Sequence, residues 1–474
     1  MIYVHIPFCR SFCTYCDFYS EVAAKCRRAE DRSRQEELFA QFSDALGREI
    51  SQRKAEITDS FNTLYIGGGT PSVLPLSVYA SLIENLAHEG IRAPFEEFTF
   101  EVNPEDIVEK GETYVTGLMN LGVNRFSMGV QSFDDGILKW MNRRHDAETA
   151  VKAYRILEDA GADNISIDLI FGLPQLSDSM WEDTLNKALE ISGKGELPRH
   201  ISSYQLSVEP GSALARLVNR GVWSEASDEL CTRQYQTLCE VLGEAGYHHY
   251  EISNFAQPGF EAKHNSAYWA HVPYVGLGPG AHSLLIPQSP SVTAPGGIGA
   301  LSAFPYSHPR IPGPVAASDD ALLIPQSPSV TAPGGIGDLS AFPYSHSRIP
   351  GPVAASDDAL LIPQSPLVAV SEGIGDLSVR RKWNSQDLNA YIADPQSVQE
   401  YETLDEQQLV LEKIMLALRT SAGISEDFLK LHVDRSAMEQ ALKSGDLIPA
   451  NIPGNLRIPE SRFFISDNIV AALV

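Results

Sequence analysis

Three cysteines near the start of the chain, Cys9, Cys13 and Cys16, are spaced C-x3-C-x2-C. An apolar run from Ile2 to Ile6 precedes them and predicts a strand, which Pro7 ends. The thiols then belong to a loop at the C-terminal end of that strand. Local cysteine sets of this kind hold iron–sulfur clusters. Three thiolates bind three irons of a [4Fe–4S] cube and leave the fourth open to another ligand. A structural zinc site takes four ligands, often as two C-x2-C pairs, and only His5, upstream in strand register, could complete one locally. A disulfide framework suits small secreted domains, not a chain of 474 residues with six cysteines. Cys26, Cys231 and Cys239 fit no motif and read as core or surface thiols.

The elements that must position this loop follow in alternation. Helical periods run over 30–56, Val78–Leu86, Thr113–Leu121 and Ala147–Ala160. Strand-like runs lie at Phe61–Ile66, Phe98–Val102, Arg125–Val130, Ile165–Ile170 and His200–Leu206. Strands alternating with helices over short links predict a parallel α/β sheet or barrel. In a barrel the ligand-binding loops lie at the C-terminal ends of the strands. Every marked residue of this chain sits at such a place. The cysteines follow the first strand, and Gly67-Gly68-Gly69-Thr70-Pro71 follows the second. Glu101 is near the end of the third, Gln131 follows the fourth, and Asp168 lies in the fifth. A triple glycine after a strand lets backbone approach a ligand closely, although any tight turn can use one. Carboxylates inside strands this apolar face a ligand or a partner, or form a salt bridge at a barrel rim.

Lys and Arg total 36 against 61 Asp and Glu, a net charge of -25. That excess disfavours nucleic acid and anionic membrane surfaces as general partners. No apolar run approaches the ~20 residues of a membrane span. The first residues lack the basic and apolar regions of a signal peptide, so a cytoplasmic chain is expected. Composition changes abruptly at Leu284. Leu284–Ala321 recurs as Leu322–Ala359, a period of 38 residues (322 minus 284), and a third copy decays after Pro366. Rich in Pro, Gly, Ser and Ala, the segment is expected to be a disordered insertion over 284–379.

The cysteine spacing on its loop resembles the signature of the radical S-adenosylmethionine (SAM) superfamily. The words HIPFC (His5–Cys9) and YCDFYS (Tyr15–Ser20) are similar to those of the oxygen-independent coproporphyrinogen oxidase family. Within it the chain looks most like the HemW-type branch of haem chaperones. The resemblance implies a partial (β/α)6 barrel over 1–255 and a connecting segment over 256–283. Beyond the insertion it implies a small, mainly helical, winged-helix-like domain over 380–474. It implies a [4Fe–4S] cluster on Cys9, Cys13 and Cys16. SAM contacts are implied at Tyr3, Tyr15, Gly68, Gly69, Thr70, Glu101, Gln131, Arg143 and Asp168.

Oxidases of the family carry a further cysteine two positions after the third, where this chain has Phe18, and a longer segment before the cluster. Both differences favour a haem chaperone over oxidative decarboxylation of coproporphyrinogen III to protoporphyrinogen IX. His264-Asn265-Ser266-Ala267-Tyr268-Trp269 matches the HNxxYW word of the chaperone branch. It makes His264, Asn265, Tyr268 and Trp269 haem candidates, with Lys263 as a cation for the propionates. His248, His249 and His282 are further candidates. The partners implied are haem and membrane haem-protein acceptors, met through transient membrane association. A homodimer is left open, and no nucleic acid is expected.

Overall fold

The computed structural model describes residues 1–22, 29–57, 61–210, 212–286 and 379–474. Cys26 and all of the repeat segment except its first residues and Val379 lie outside the described residues, and with them the expectation of disorder.

Six parallel strands form the frame: β1 (Ile2–Ile6), β2 (Thr63–Gly68), β3 (Glu97–Val102), β4 (Arg125–Gln131), β5 (Ile165–Phe171) and β6 (His200–Gln205). Each pairs with its successor. Helices α1 (Ala29–Gln52), α2 (Leu76–His88), α3 (Pro104–Asn120), α4 (Ala147–Asp159) and α5 (Asp178–Leu189) fill the crossovers, as a partial (β/α)6 barrel requires. α6 (Asp228–Glu244) follows β6, and β7 (His248–Glu251) and β8 (Asn254–Ala256) turn back antiparallel beside it. After the short helix α7 (Lys263–Trp269), β9 (Val275–Leu277) pairs in parallel with β1 at the opposite edge.

The strands are buried on both faces, and their residues divide by period two. Ile2, Val4, Ile6, Leu64, Ile66, Phe98, Phe100, Phe126, Met128, Ile165 and Ile167 pack in the apolar core under the helices. The alternate positions are polar or aromatic: Tyr3, His5, Thr63, Tyr65, Glu97, Thr99, Glu101, Arg125, Ser127, Ser166 and Asp168. A polar residue within such a strand costs free energy unless it is hydrogen-bonded, and these are, apart from Arg125, whose buried Nε has no hydrogen-bond partner among the described residues.

The chain beyond the repeats rejoins the same body. β10 (His282–Leu285), β11 (Arg380–Asn384) and β12 (Gln399–Thr403) make an antiparallel sheet in which Leu285 pairs with Arg380. Leu284 is thus a buried strand residue rather than the start of an insertion. Buried Glu49 on α1 accepts from Tyr391 Oη at 2.7 Å, Asn384 Nδ2 at 2.8 Å and Gly278 N at 2.8 Å. Arg53 pairs with Glu49 at 3.0 Å and donates to Gly276 O at 2.6 Å. Further on, helices Glu426–His432 and Arg435–Ser444 pack with a three-stranded antiparallel sheet of short strands, the winged-helix-like arrangement expected.

Candidate cofactor site

The loop carrying the three cysteines leaves β1 at Pro7, whose carbonyl accepts from Glu21 N at 2.7 Å. The turn after β2 is bonded to it: Gly69 N donates to Ile6 O at 2.8 Å and Thr70 N to Phe8 O at 2.7 Å. A Cβ on Gly69 would stand 2.7 Å from Phe8 O and 3.1 Å from Cys9 Sγ, and Gly68 takes a φ of 107. Glycine is therefore required where the two loops touch. Thr70 Oγ1 lies 3.4 Å from Cys9 Sγ.

Glu101 closes the next position. One carboxylate oxygen accepts from Tyr65 Oη at 2.7 Å and the other from Gly68 N at 3.1 Å. Gln131 has a φ of 69 at an irregularity between β4 and β5, a conformation that non-glycine residues seldom adopt. Asp168 is oriented by Ser127 Oγ at 3.0 and 3.2 Å. Arg143 donates to Gly129 O at 2.6 Å, Asn103 Oδ1 at 3.0 Å and Cys13 Sγ at 3.5 Å.

These groups surround one cleft of about 1280 Å³, counted out to its open mouth. It brings together Cys9, Cys13, Cys16, Tyr15, Gly68, Gly69, Thr70, Glu101, Gln131, Arg143 and Asp168. Tyr3 does not line it. Its ring packs on Tyr65 below, and its hydroxyl sits 3.0 Å from His5 Nδ1. Asn103, Ser127 and Tyr204 line the cleft and escaped the sequence reading. Asn103 was findable as the residue just past the end of the third strand, in the word FEVNP. Ser127 and Tyr204 carry no comparable signal.

The donor set suits a cluster better than a single ion. Among the described residues no three His, Cys, Asp or Glu side chains could enclose one metal ion. His5, the one local candidate for a fourth zinc ligand, has both ring nitrogens engaged, by Tyr3 Oη and by Tyr19 O at 2.8 Å. A cube needs no such closure, because each thiolate takes its own iron. Burial pushes the Cys9 and Cys16 thiols above their ordinary range, so bound metal must hold them as thiolates. Arg143 Nε is buried without a hydrogen-bond partner, an opening for an anionic group in the cleft.

The HNxxYW word lies elsewhere. It forms α7 at the opposite, N-terminal end of the strands. Glu97 at the start of β3 accepts from Lys263 N at 2.7 Å and His264 N at 2.9 Å. His264 is fully buried, with Nδ1 2.8 Å from Thr63 Oγ1 and Nε2 3.0 Å from Tyr268 Oη. Burial holds its imidazole well below the ordinary range and neutral. Lys263 Nζ is paired with Glu96. In this conformation neither ring nitrogen of His264 is open to an iron, and the nearest cation is already matched. Asn265, Tyr268 and Trp269 are half-buried on the same short helix.

Comparison with known proteins agrees with the cleft. The radical SAM superfamily profile matches residues 3–188. The haem chaperone HemW of Synechocystis sp. is 35% identical over 283 residues, which cover 60% of this chain and 65% of that protein. The mitochondrial radical S-adenosyl methionine domain-containing protein 1 of Danio rerio is 33% identical over 287 residues, 61% of its length. The chain thus spans a little under two thirds of these two relatives. HemW of Lactococcus lactis is 34% identical over 283 residues, 69% of its length. Among solved structures, coproporphyrinogen III oxidase (HemN) of Escherichia coli shares the fold, with a TM-score of 0.63 at 17% identity, over 99% of this chain and 89% of that one. The chain belongs to the HemW-type family of the radical SAM superfamily.

Proposed function

We propose that the chain is a haem chaperone that binds one [4Fe–4S] cluster and SAM, and delivers haem to membrane haem proteins. The observation that carries the cofactor half is the convergence of three cysteine thiols with Gly68–Thr70, Glu101, Gln131, Arg143 and Asp168 on one cleft. Cys9, Cys13 and Cys16 would hold the cluster, and SAM would take the open iron. A cluster of this kind supplies an electron to the SAM sulfonium. The residues of the chain bind and orient. Gly68 and Gly69 present backbone without side chains, Glu101 accepts an ammonium, Arg143 pairs with a carboxylate, and Asp168 accepts hydroxyl protons.

The haem half is supported by the names of the HemW relatives. No helix among the described residues is long and apolar enough to cross a membrane, so delivery would require docking on the acceptor. Phe18 occupies the position of the oxidases' further cysteine and lines the cleft mouth. Turnover of coproporphyrinogen is therefore not expected. The test is anaerobic incubation of reconstituted protein with SAM and coproporphyrinogen, beside a haem titration. About one haem bound per chain with no porphyrin product supports the chaperone. Formation of protoporphyrinogen would replace it with the oxidase.

A further inference from the structure

The middle of the cysteine loop is held by the turn that carries Arg143, itself one of the implied SAM contacts. Residues Trp140–Arg143 follow a helix over Asp135–Trp140, and Asn142 adopts a φ of 57. Four contacts reach from this turn to the loop. Thr14 N donates to Met141 O at 3.0 Å, and Thr14 Oγ1 to Trp140 O at 2.9 Å. Asn142 Nδ2 donates to Phe12 O at 2.6 Å, and Arg143 Nη1 to Cys13 Sγ at 3.5 Å. The loop is thus clasped at three successive residues, Phe12, Cys13 and Thr14, around the middle cysteine. The guanidinium is itself fixed, since Nη2 is tied to Gly129 O and Asn103 Oδ1. Its position beside Cys13 does not depend on a bound ligand.

We infer that this turn is a clasp for the cluster loop, and that Arg143, through its contact with Cys13 Sγ, is a positioning residue that raises the midpoint potential of the cluster. The inference rests on the proposed cluster at Cys9, Cys13 and Cys16. The physical reason is charge. Reduction of a cluster by one electron adds a negative charge that spreads onto its cysteine sulfurs. A fixed cation and donor at one of those sulfurs stabilises the reduced state more than the oxidised one. Arginine suits the task because it stays charged when buried and its planar fork can serve Gly129, Asn103 and Cys13 together. Lysine has the charge but not the fork.

The test uses the full chain, reconstituted without SAM, so that loss of SAM binding cannot contribute. Iron content and the midpoint potential, followed by electron paramagnetic resonance, are measured for wild type, Arg143→Gln, Arg143→Lys and Asn142→Ala. Arg143→Gln should retain iron and show a midpoint more negative than wild type. Arg143→Lys should fall between the two. Asn142→Ala loosens the clasp but keeps the charge, so it should lower cluster yield at an unchanged midpoint. Loaded Gln and Lys variants with the wild-type midpoint overturn the inference and leave the cluster assignment standing. If the Gln variant does not load, the Lys variant decides: a lower midpoint supports the inference and an equal one overturns it. A wild-type chain that binds no cluster overturns both readings.

Discussion

At the scale of the residue, chemistry is concentrated where side chains alternate into the barrel. The three cysteines stand on the loop at the end of β1, above those side chains. Replacing Cys9, Cys13 and Cys16 together with Ala should abolish iron binding and the broad visible absorbance of the anaerobically reconstituted chain. Retention of iron by the triple variant would move the cluster to other thiols. His264 behaves differently from its motif. Both ring nitrogens are used, and its ring packs against Tyr65 at 5.2 Å and Tyr268 at 5.0 Å. His264→Ala should therefore cost about 2–4 kcal/mol of stability, by leaving Thr63 and Tyr268 short of a partner beside a cavity. Urea denaturation of the variant measures that cost. A variant as stable as wild type that has lost haem binding would return His264 to the role of ligand.

At the scale of the element, the parallel strands were legible because they are short runs between helical periods, and the first five of them carry or precede a marked residue. Their observed bounds differ by a residue or two from the pattern in the sequence. The residues around the cysteines were legible for the same reason, since a barrel collects the ends of its strands. Other features were not. α5 went unread although its buried Trp181, Thr184, Leu185 and Ala188 keep a helical spacing, and β9 to β12 are short strands defined by partners remote in sequence. α3 begins at Pro104, earlier than its apolar period, and crosses Gly111 at a φ of 67. The residue types of the HNxxYW word suit a haem and equally suit a hydrogen-bonded helix under a barrel floor.

The repeat boundary follows from pairing in the same way. Leu285 and Arg380 face each other in an antiparallel ladder, so excision should begin after Leu285 and end before Arg380. Joining them through Asn-Gly, a turn suited to antiparallel strands, should leave the melting temperature and iron content near wild type. Excision from Leu284 removes a buried strand residue and should lower the melting temperature. A collapse of the first variant would show that residues 286–379 stabilise the fold.

At the scale of the whole molecule, the buried histidines make stability depend on pH. Burial lowers His5 from 6.5 to about 4, against the opposing hydrogen bond that its ring donates to Tyr19 O. Burial likewise lowers His249 to about 4, where its ring stacks on Phe255 at 4.0 Å. The unfolded chain protonates each near 6.5, and the folded chain only near 4. Between these values the unfolded state binds more protons, so stability falls as the pH is lowered through the window. Each such histidine contributes a slope of about 1.4 kcal/mol per pH unit. Glu105 acts in a separate, lower window. Burial would raise it, but the hydrogen bond with His145 and the charge of Arg143 bring it to about 2 from 4.5. Its contribution is complete above 4.5 and disappears as the pH falls towards 2. Urea midpoints of the cluster-free chain should thus decline steadily from pH 7 to 5. His249→Gln, remote from the cysteine loop, should be less stable at pH 7 yet show a slope shallower by about 1.4 kcal/mol per unit. A wild-type midpoint that stays flat from pH 7 to 5 would mean that these imidazoles are protonated in the fold, and that the packing around them admits water.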